Sequence, residues 1–125
     1  MPDTLQEIQD RLRAILSKYS PPLIAKVDTP RCYELYSVKD LVIAGRKRSE
    51  VYFAGAIIQK SFVGFYFMPI YSNPDFVEKL APELKKCIKG KACFNIKEPD
   101  QRLFKQIEKM TRDGFKMYKR NKWIG

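Results

Sequence analysis

The side chains in this sequence that can do chemistry are mostly lysines and arginines, and they are unevenly spread. Residues 85–125 hold 13 of them against four acids (Glu98, Asp100, Glu108 and Asp113), a surplus of nine, whereas residues 1–84 hold 11 bases and ten acids. The net charge of +10 therefore belongs to the last third of the chain. Lys85, Lys86, Lys89 and Lys91 surround Gly90, and Lys116, Lys119, Arg120 and Lys122 follow near the end. Cations at this density attract phosphates and carboxylates, and backbone amides at a Gly90 turn would add donors. Lysines at helix C-termini are also favoured by the helix dipole, which makes a plain solvated face the competing explanation. A surplus of nine exceeds what capping requires. We therefore expect an anion-binding surface, with nucleic acid or a phosphorylated ligand as its partner.

Other chemistries are poorly supplied. Histidine is absent, which removes the commonest general base near neutral pH and the commonest transition-metal ligand. Ser-His and Cys-His nucleophilic catalysis lose their base with it, and zinc chemistry loses its main nitrogen ligand, so neither is expected. No nucleophile, base and orienting group can be assembled, so no catalytic residue, cofactor or resident metal is expected. The three cysteines, Cys32, Cys87 and Cys93, are odd in number and lack paired spacing, which fits reduced thiols in a cytoplasmic setting. Cys93 stands two residues after Lys91, a neighbour that would lower a thiol pKa, although a buried strand cysteine needs no such role. Phe53, Phe62, Phe65, Tyr66, Phe67 and Tyr71 form an aromatic set able to stack bases or simply to fill a core. Residues 60–67 (KSFVGFYF) match the RNA-recognition-motif signature only at Lys60, Phe62 and Phe67, so the core explanation is preferred.

These residues need elements to hold them. Thr4 and Glu7 have capping-box spacing, and Leu5, Ile8, Leu12, Ile15 and Leu16 recur at helical period, predicting a helix over about 4–19 that Pro21-Pro22 stops. Short extended segments are expected near 23–28 and 31–37. Gly45-Arg46-Lys47-Arg48-Ser49 reads as a turn after a strand edge. Residues 50–59 and 62–68, with Lys60-Ser61 between them, read as a hairpin of β-branched and aromatic residues. Strict alternation places Val51, Phe53 and Ile57 on one side, with Tyr52 and Ile58 on the other. On the partner strand Phe62, Tyr66 and Met68 oppose Val63, Phe65 and Phe67. Both strands are apolar on both faces, as central strands are. Asn73-Pro74-Asp75 opens a helical stretch with Phe76, Val77, Leu80, Leu84 and Ile88 as its stripe, kinked or split at Pro82 and ended at Gly90. Residues 92–96 make a last short strand, and Pro99 begins a long amphipathic helix to about residue 120.

A chain of 125 residues suits one domain with one core. No apolar run approaches the ~20 residues of a membrane span, and the first residues lack the basic-then-apolar pattern of a secretory signal. Helices flanking a meander of strands predict an α+β domain, a two-layer sandwich with a mainly antiparallel sheet.

Tyr52-Phe53-Ala54-Gly55-Ala56, Lys60-Ser61-Phe62-Val63-Gly64-Phe65, Met68-Pro69-Ile70-Tyr71 and Gly90-Lys91-Ala92-Cys93-Phe94-Asn95 resemble the YdhG-like domain family of small bacterial proteins, over about residues 5–120. The resemblance implies a frataxin-like sandwich with helices packed mainly on one sheet face. It brings no catalytic motif. It also implies an alternative function, intracellular iron chaperoning, in which Asp3, Glu7 and Asp10 on one face of the first helix would offer hard oxygen ligands. Helix-dipole preference for acids in a first turn accounts for the same residues. If helices cover one sheet face, the other would expose apolar side chains. Phe65, Phe67, Met68 and Tyr71 are then candidates for a ligand pocket or for a homodimer face.

Overall fold

The computed structural model describes residues 4–20, 22–43, 45–72, 75–90 and 93–123, with side chains throughout except at 39–43, 46, 48, 49, 71, 72 and 77. Helix α1 runs Thr4–Ser17 and sinks Ile8, Leu12, Ile15 and Leu16. The chain then turns, with Leu23 N–H donating to the Tyr19 carbonyl at 2.9 Å, just past the proline pair.

Four antiparallel strands follow as a meander: β1 Ile24–Thr29, β2 Cys32–Ile43, β3 Arg46–Ile58 and β4 Val63–Phe67. Here the structure corrects the turn expected at 45–49. Ile43 pairs with Arg46, and Gly45 takes the left-handed φ of +79° that a tight hairpin turn requires. Arg46–Ser49 is strand because Leu41, Val42 and Ile43 supply a pairing template, and pairing outweighs the weak strand preference of a basic run.

The β3–β4 hairpin forms as expected, but its facing differs. Tyr36 pairs with Tyr52 while Leu35 pairs with Ala54, so Phe53 is an extra residue, a β-bulge. A bulge shifts the alternation by one. Phe53 and Ala54 both point into the core, and beyond them Ala56 and Ile58 are buried while Ile57 is half-exposed. Ile57 and Ile58 thus exchange the sides that strict alternation gives them. The Tyr118 hydroxyl donates to the Tyr52 carbonyl at 2.8 Å, beside this irregularity.

After β4 the chain leaves the sheet through three short helices, α2 Met68–Ser72, α3 Asp75–Glu78 and α4 Pro82–Lys85. It returns as a small hairpin, β5 Ile88–Lys89 and β6 Cys93–Ile96, with Gly90 at φ +77°. Met68, expected at a strand end, therefore opens a helix, and Ile88, expected on a helical stripe, lies in a strand. The final helix α5 spans Gln101–Arg120. Its N-cap is Asp100, whose carboxylate accepts from Arg102 N–H at 2.8 Å, so the helix starts two residues after Pro99.

The sheet order is β1-β2-β3-β4-β6-β5, with all pairings antiparallel. The helices cover one face, giving the expected α+β two-layer architecture. Phe53, Phe65, Phe67, Phe94, Phe104 and Tyr118 are fully buried between the layers, with the Phe53 ring 5.2 Å from Tyr118 and 5.8 Å from Phe67. Gly114 lets α5 pass close: a Cβ there would meet Phe67 Cζ at 2.5 Å and Pro69 Cγ at 2.8 Å. Among the described residues no helix is long and apolar enough to cross a membrane.

This arrangement corrects the open apolar face. Phe65 and Phe67 lie under the helices rather than on the uncovered side, and Met68 and Tyr71 belong to α2 beyond the strand end. The uncovered face presents the half-buried Cys32, Glu34, Tyr36, Tyr52, Ile57, Tyr66 and Asn95 with the exposed Ile24 and Val38, a mixed polar, phenolic and aliphatic surface.

Candidate anion-binding groove

Helix α5 carries two stripes. One buries Phe104, Ile107, Met110, Thr111, Gly114, Met117 and Tyr118. Beside it, Gln106, Lys109, Asp113, Lys116 and Arg120 recur at helical spacing and form one wall of a trough. The facing wall is the α3–α4 segment. Pro82 at the start of α4 and the extended Ala81 (φ −64°, ψ 147°) break this segment into two short pieces. The break lays Phe76, Leu80 and Leu84 along α5, where with Met110 they make an apolar floor. Phe76 is anchored by the Phe67 ring at 6.0 Å.

The trough encloses about 560 Å³. From Gln106 to Arg120 it runs roughly 21 Å at the helical rise per residue. Lys79, Lys109, Lys116 and Arg120 line it against a single acid, Asp113. The ion pairs among the described residues are Arg13–Asp28, Lys18–Glu108 and Lys26–Glu50, and none involves a cation of the trough. Gln106 donates through Nε2 to Glu83 Oε2 at 3.4 Å, while its buried Oε1 has no partner among the described residues.

The basic residues singled out in the sequence are not gathered into one patch. Lys116 and Arg120 lie in the trough. Lys85 and Lys86 are exposed at the end of α4, and Lys89 is exposed on β5, outside it. Lys119 turns the other way, with Nζ 5.4 Å from the Phe115 ring. Lys122 follows the α5 C-cap with φ 61°, and Lys91 lies outside the described residues. Sequence reasoning missed Lys79 and Lys109. The 109-113-116-120 spacing beside the apolar stripe was a readable sign of the second wall. Lys79 had no such sign, because only the fold around Pro82 brings it to α5.

The carboxylates of α1 are differently placed. Glu7 and Asp10 are exposed, and Asp10 accepts from Gln6 Nε2 at 2.9 Å. Asp3 lies outside the described residues. Among the described residues no group of three His, Cys, Asp or Glu side chains is arranged to hold a metal ion.

The uncovered sheet face holds Tyr52, Cys32 and Cys93, and their surroundings quiet them. Burial, and then Glu34 beside it, push the Tyr52 phenol far above its ordinary 10.0. Burial likewise raises Cys32, with Glu34 adding to the effect, and it raises Cys87. The Cys93 thiol is raised by burial despite a hydrogen bond with Tyr66 that pulls it down. The buried-strand explanation of Cys93 stands over the lowered, reactive thiol, because desolvation outweighs the Tyr66 hydrogen bond.

No family model matches the chain, and no curated protein or solved structure shows significant similarity to it.

Proposed function

We propose that this domain is a binding module for an anionic partner, taken up along the α5 trough by its basic C-terminal third. The observation that carries this reading is the set of four cations, Lys79, Lys109, Lys116 and Arg120, placed around an apolar floor with no ion-pair partner among the described residues. Lys116 and Arg120 are like charges at i, i+4, an arrangement that weakens an isolated helix. An approaching anion turns that cost into attraction, and the apolar floor adds contact area that a bare charged surface lacks. Nucleic acid and phosphorylated ligands both meet the charge requirement. Lys85, Lys86 and Lys89 extend the positive field around the trough without lining it.

The frataxin-like iron-carrier alternative would instead depend on Asp3, Glu7 and Asp10. The two readings separate by charge, since one needs the bases and the other the acids. In the test, Lys79, Lys109, Lys116 and Arg120 are replaced by Gln together, and binding of labelled polyglutamate and of a short oligothymidylate is followed by fluorescence anisotropy. The expected result is a loss of at least about tenfold in affinity. A control replacing Arg11, Lys18 and Lys26 by Gln should change it less than about twofold. Equal losses in both variants would reduce the interaction to net charge.

A further inference from the structure

Resting on that reading, we infer that the occupant of the trough is an acidic amphipathic peptide helix of a partner protein. The first reason is length. The cations do not converge on one point: Lys109, Lys116 and Arg120 are spread over about 16 Å of α5, with Lys79 on the opposite wall. A single phosphate group engages donors that meet at one place, so this spread suits an elongated ligand with several separate negative charges.

The second reason is the floor. Leu80, Leu84 and Met110 are aliphatic or thioether side chains, and Phe76 is the one aromatic ring among the trough's lining residues. Single-stranded nucleic acid binds through successive aromatic platforms, which this floor does not offer. It does suit Leu, Ile or Phe side chains presented at i, i+3 or i+4, and i+7 by a helix laid in a groove, which would rest on the half-buried Phe76 and Leu80 above the buried Leu84 and Met110.

The third reason is polarity within the trough. Asp113 sits between Lys109 and Lys116, and the buried Oε1 of Gln106 needs a donor. A phosphodiester backbone brings only acceptors to these two groups and is repelled by Asp113. A peptide helix keeps the N–H groups of its first turn free as well as bringing carboxylates, so its N-terminus can donate to one of these two groups. A helix of about four turns matches the trough's length. Its glutamates would reach the cations of both walls while its apolar stripe covers the floor.

The test uses the full chain and three probes at about 0.15 M salt. The first is a labelled peptide of about 16 residues with leucines at helical spacing and glutamates on both flanks. The second is the same peptide with every leucine replaced by serine, and the third is an oligothymidylate of about 12 nucleotides. The leucine peptide should bind at least about tenfold tighter than either of the others. Leu80→Glu and Lys116→Glu should each weaken it by at least about fivefold. Trp123 fluorescence should report an unchanged unfolding midpoint for Lys116→Glu, at an exposed position, and a lowered but still cooperative one for Leu80→Glu, whose site packs against the core, with both variants folded at the temperature of the binding assay. Equal binding of the serine peptide, or tighter binding of the oligonucleotide, would overturn the peptide inference and leave the anion-binding reading standing. Binding of none of the three would overturn both.

Discussion

Helices α1 and α5 pack side by side on the same sheet face, yet they use their charges in opposite ways. On α1 the bases are answered within the fold. Arg11 donates to Gln101 Oε1 at 2.9 Å and lies 4.7 Å from the Phe104 ring centroid. Arg13 pairs with Asp28 and covers the Tyr33 ring, and Lys18, just past the helix end, reaches Glu108 at 3.8 Å. These contacts bind α1 to its neighbours. On α5, Gln101 and Glu108 answer α1, whereas Lys109, Lys116 and Arg120 face the trough with no ion pair among the described residues. Two helices of similar amphipathic pattern thus differ in whether their charge is committed inside the molecule or left available. The difference locates the interaction surface better than the charge total does.

The comparison breaks most severely if the shared core fails. Phe53 packs against the rings of Phe67, Phe115, Tyr19 and Tyr118, and so joins α5 and the turn after α1 to the sheet. Phe53→Ala should cost ~3–5 kcal/mol by denaturant unfolding, and an unchanged stability would contradict the bulge packing. Gly114→Val should cost ~1–3 kcal/mol, because the new methyls meet Phe67 and Pro69 where α5 passes closest. Next in size is the charge contrast itself. Lys109→Glu with Lys116→Glu should weaken polyglutamate binding by at least about tenfold, while Arg11→Glu with Lys18→Glu should change it less than about twofold. Stability should respond in the reverse sense. Arg13→Ala should lose up to ~1 kcal/mol from an exposed ion pair, whereas Lys116→Gln should be neutral or gain ~0.2–0.5 kcal/mol by relieving like-charge repulsion.

The smallest effect belongs to the uncovered sheet face, which neither helix touches. Tyr52 stays protonated in the folded chain at pH values where an ordinary phenol, at 10.0, titrates. In the unfolded chain the proton leaves first, so the unfolded state gains relative to the folded one as pH rises through that range. Stability should be full below about pH 9 and fall above it, and Tyr52→Phe should flatten part of the fall without moving the neutral-pH value by more than about 1 kcal/mol. A slope identical in wild type and variant would remove Tyr52 from the account.

Much of the scaffold was legible because local signals and tertiary demands agreed. The α1 stripe, the β3–β4 hairpin, the break at Pro82 and the long α5 all follow from periodicity and proline placement. What escaped depends on partners distant in sequence. The bulge at Phe53 carries no glycine or proline mark; it is imposed by register with β2, and it reverses Ile57 and Ile58. Arg46–Ser49 is strand only because Leu41–Ile43 lies opposite. Within the candidate site, Lys116 and Arg120 could be chosen from charge density, but Lys85 and Lys89 could not be separated from them without knowing where α4 ends. Lys79 joins the trough through a chain reversal that sequence spacing does not record.

The most direct measurement is an amide-resolved NMR titration of the full chain with the leucine–glutamate peptide, repeated at low and at physiological salt. We predict shifts confined to residues 76–84 and 106–120 that persist at physiological salt, with α1 unmoved. Shifts centred on Glu7 and Asp10, or shifts that disappear as salt is added, would contradict the claim that α5 holds its charge for a partner.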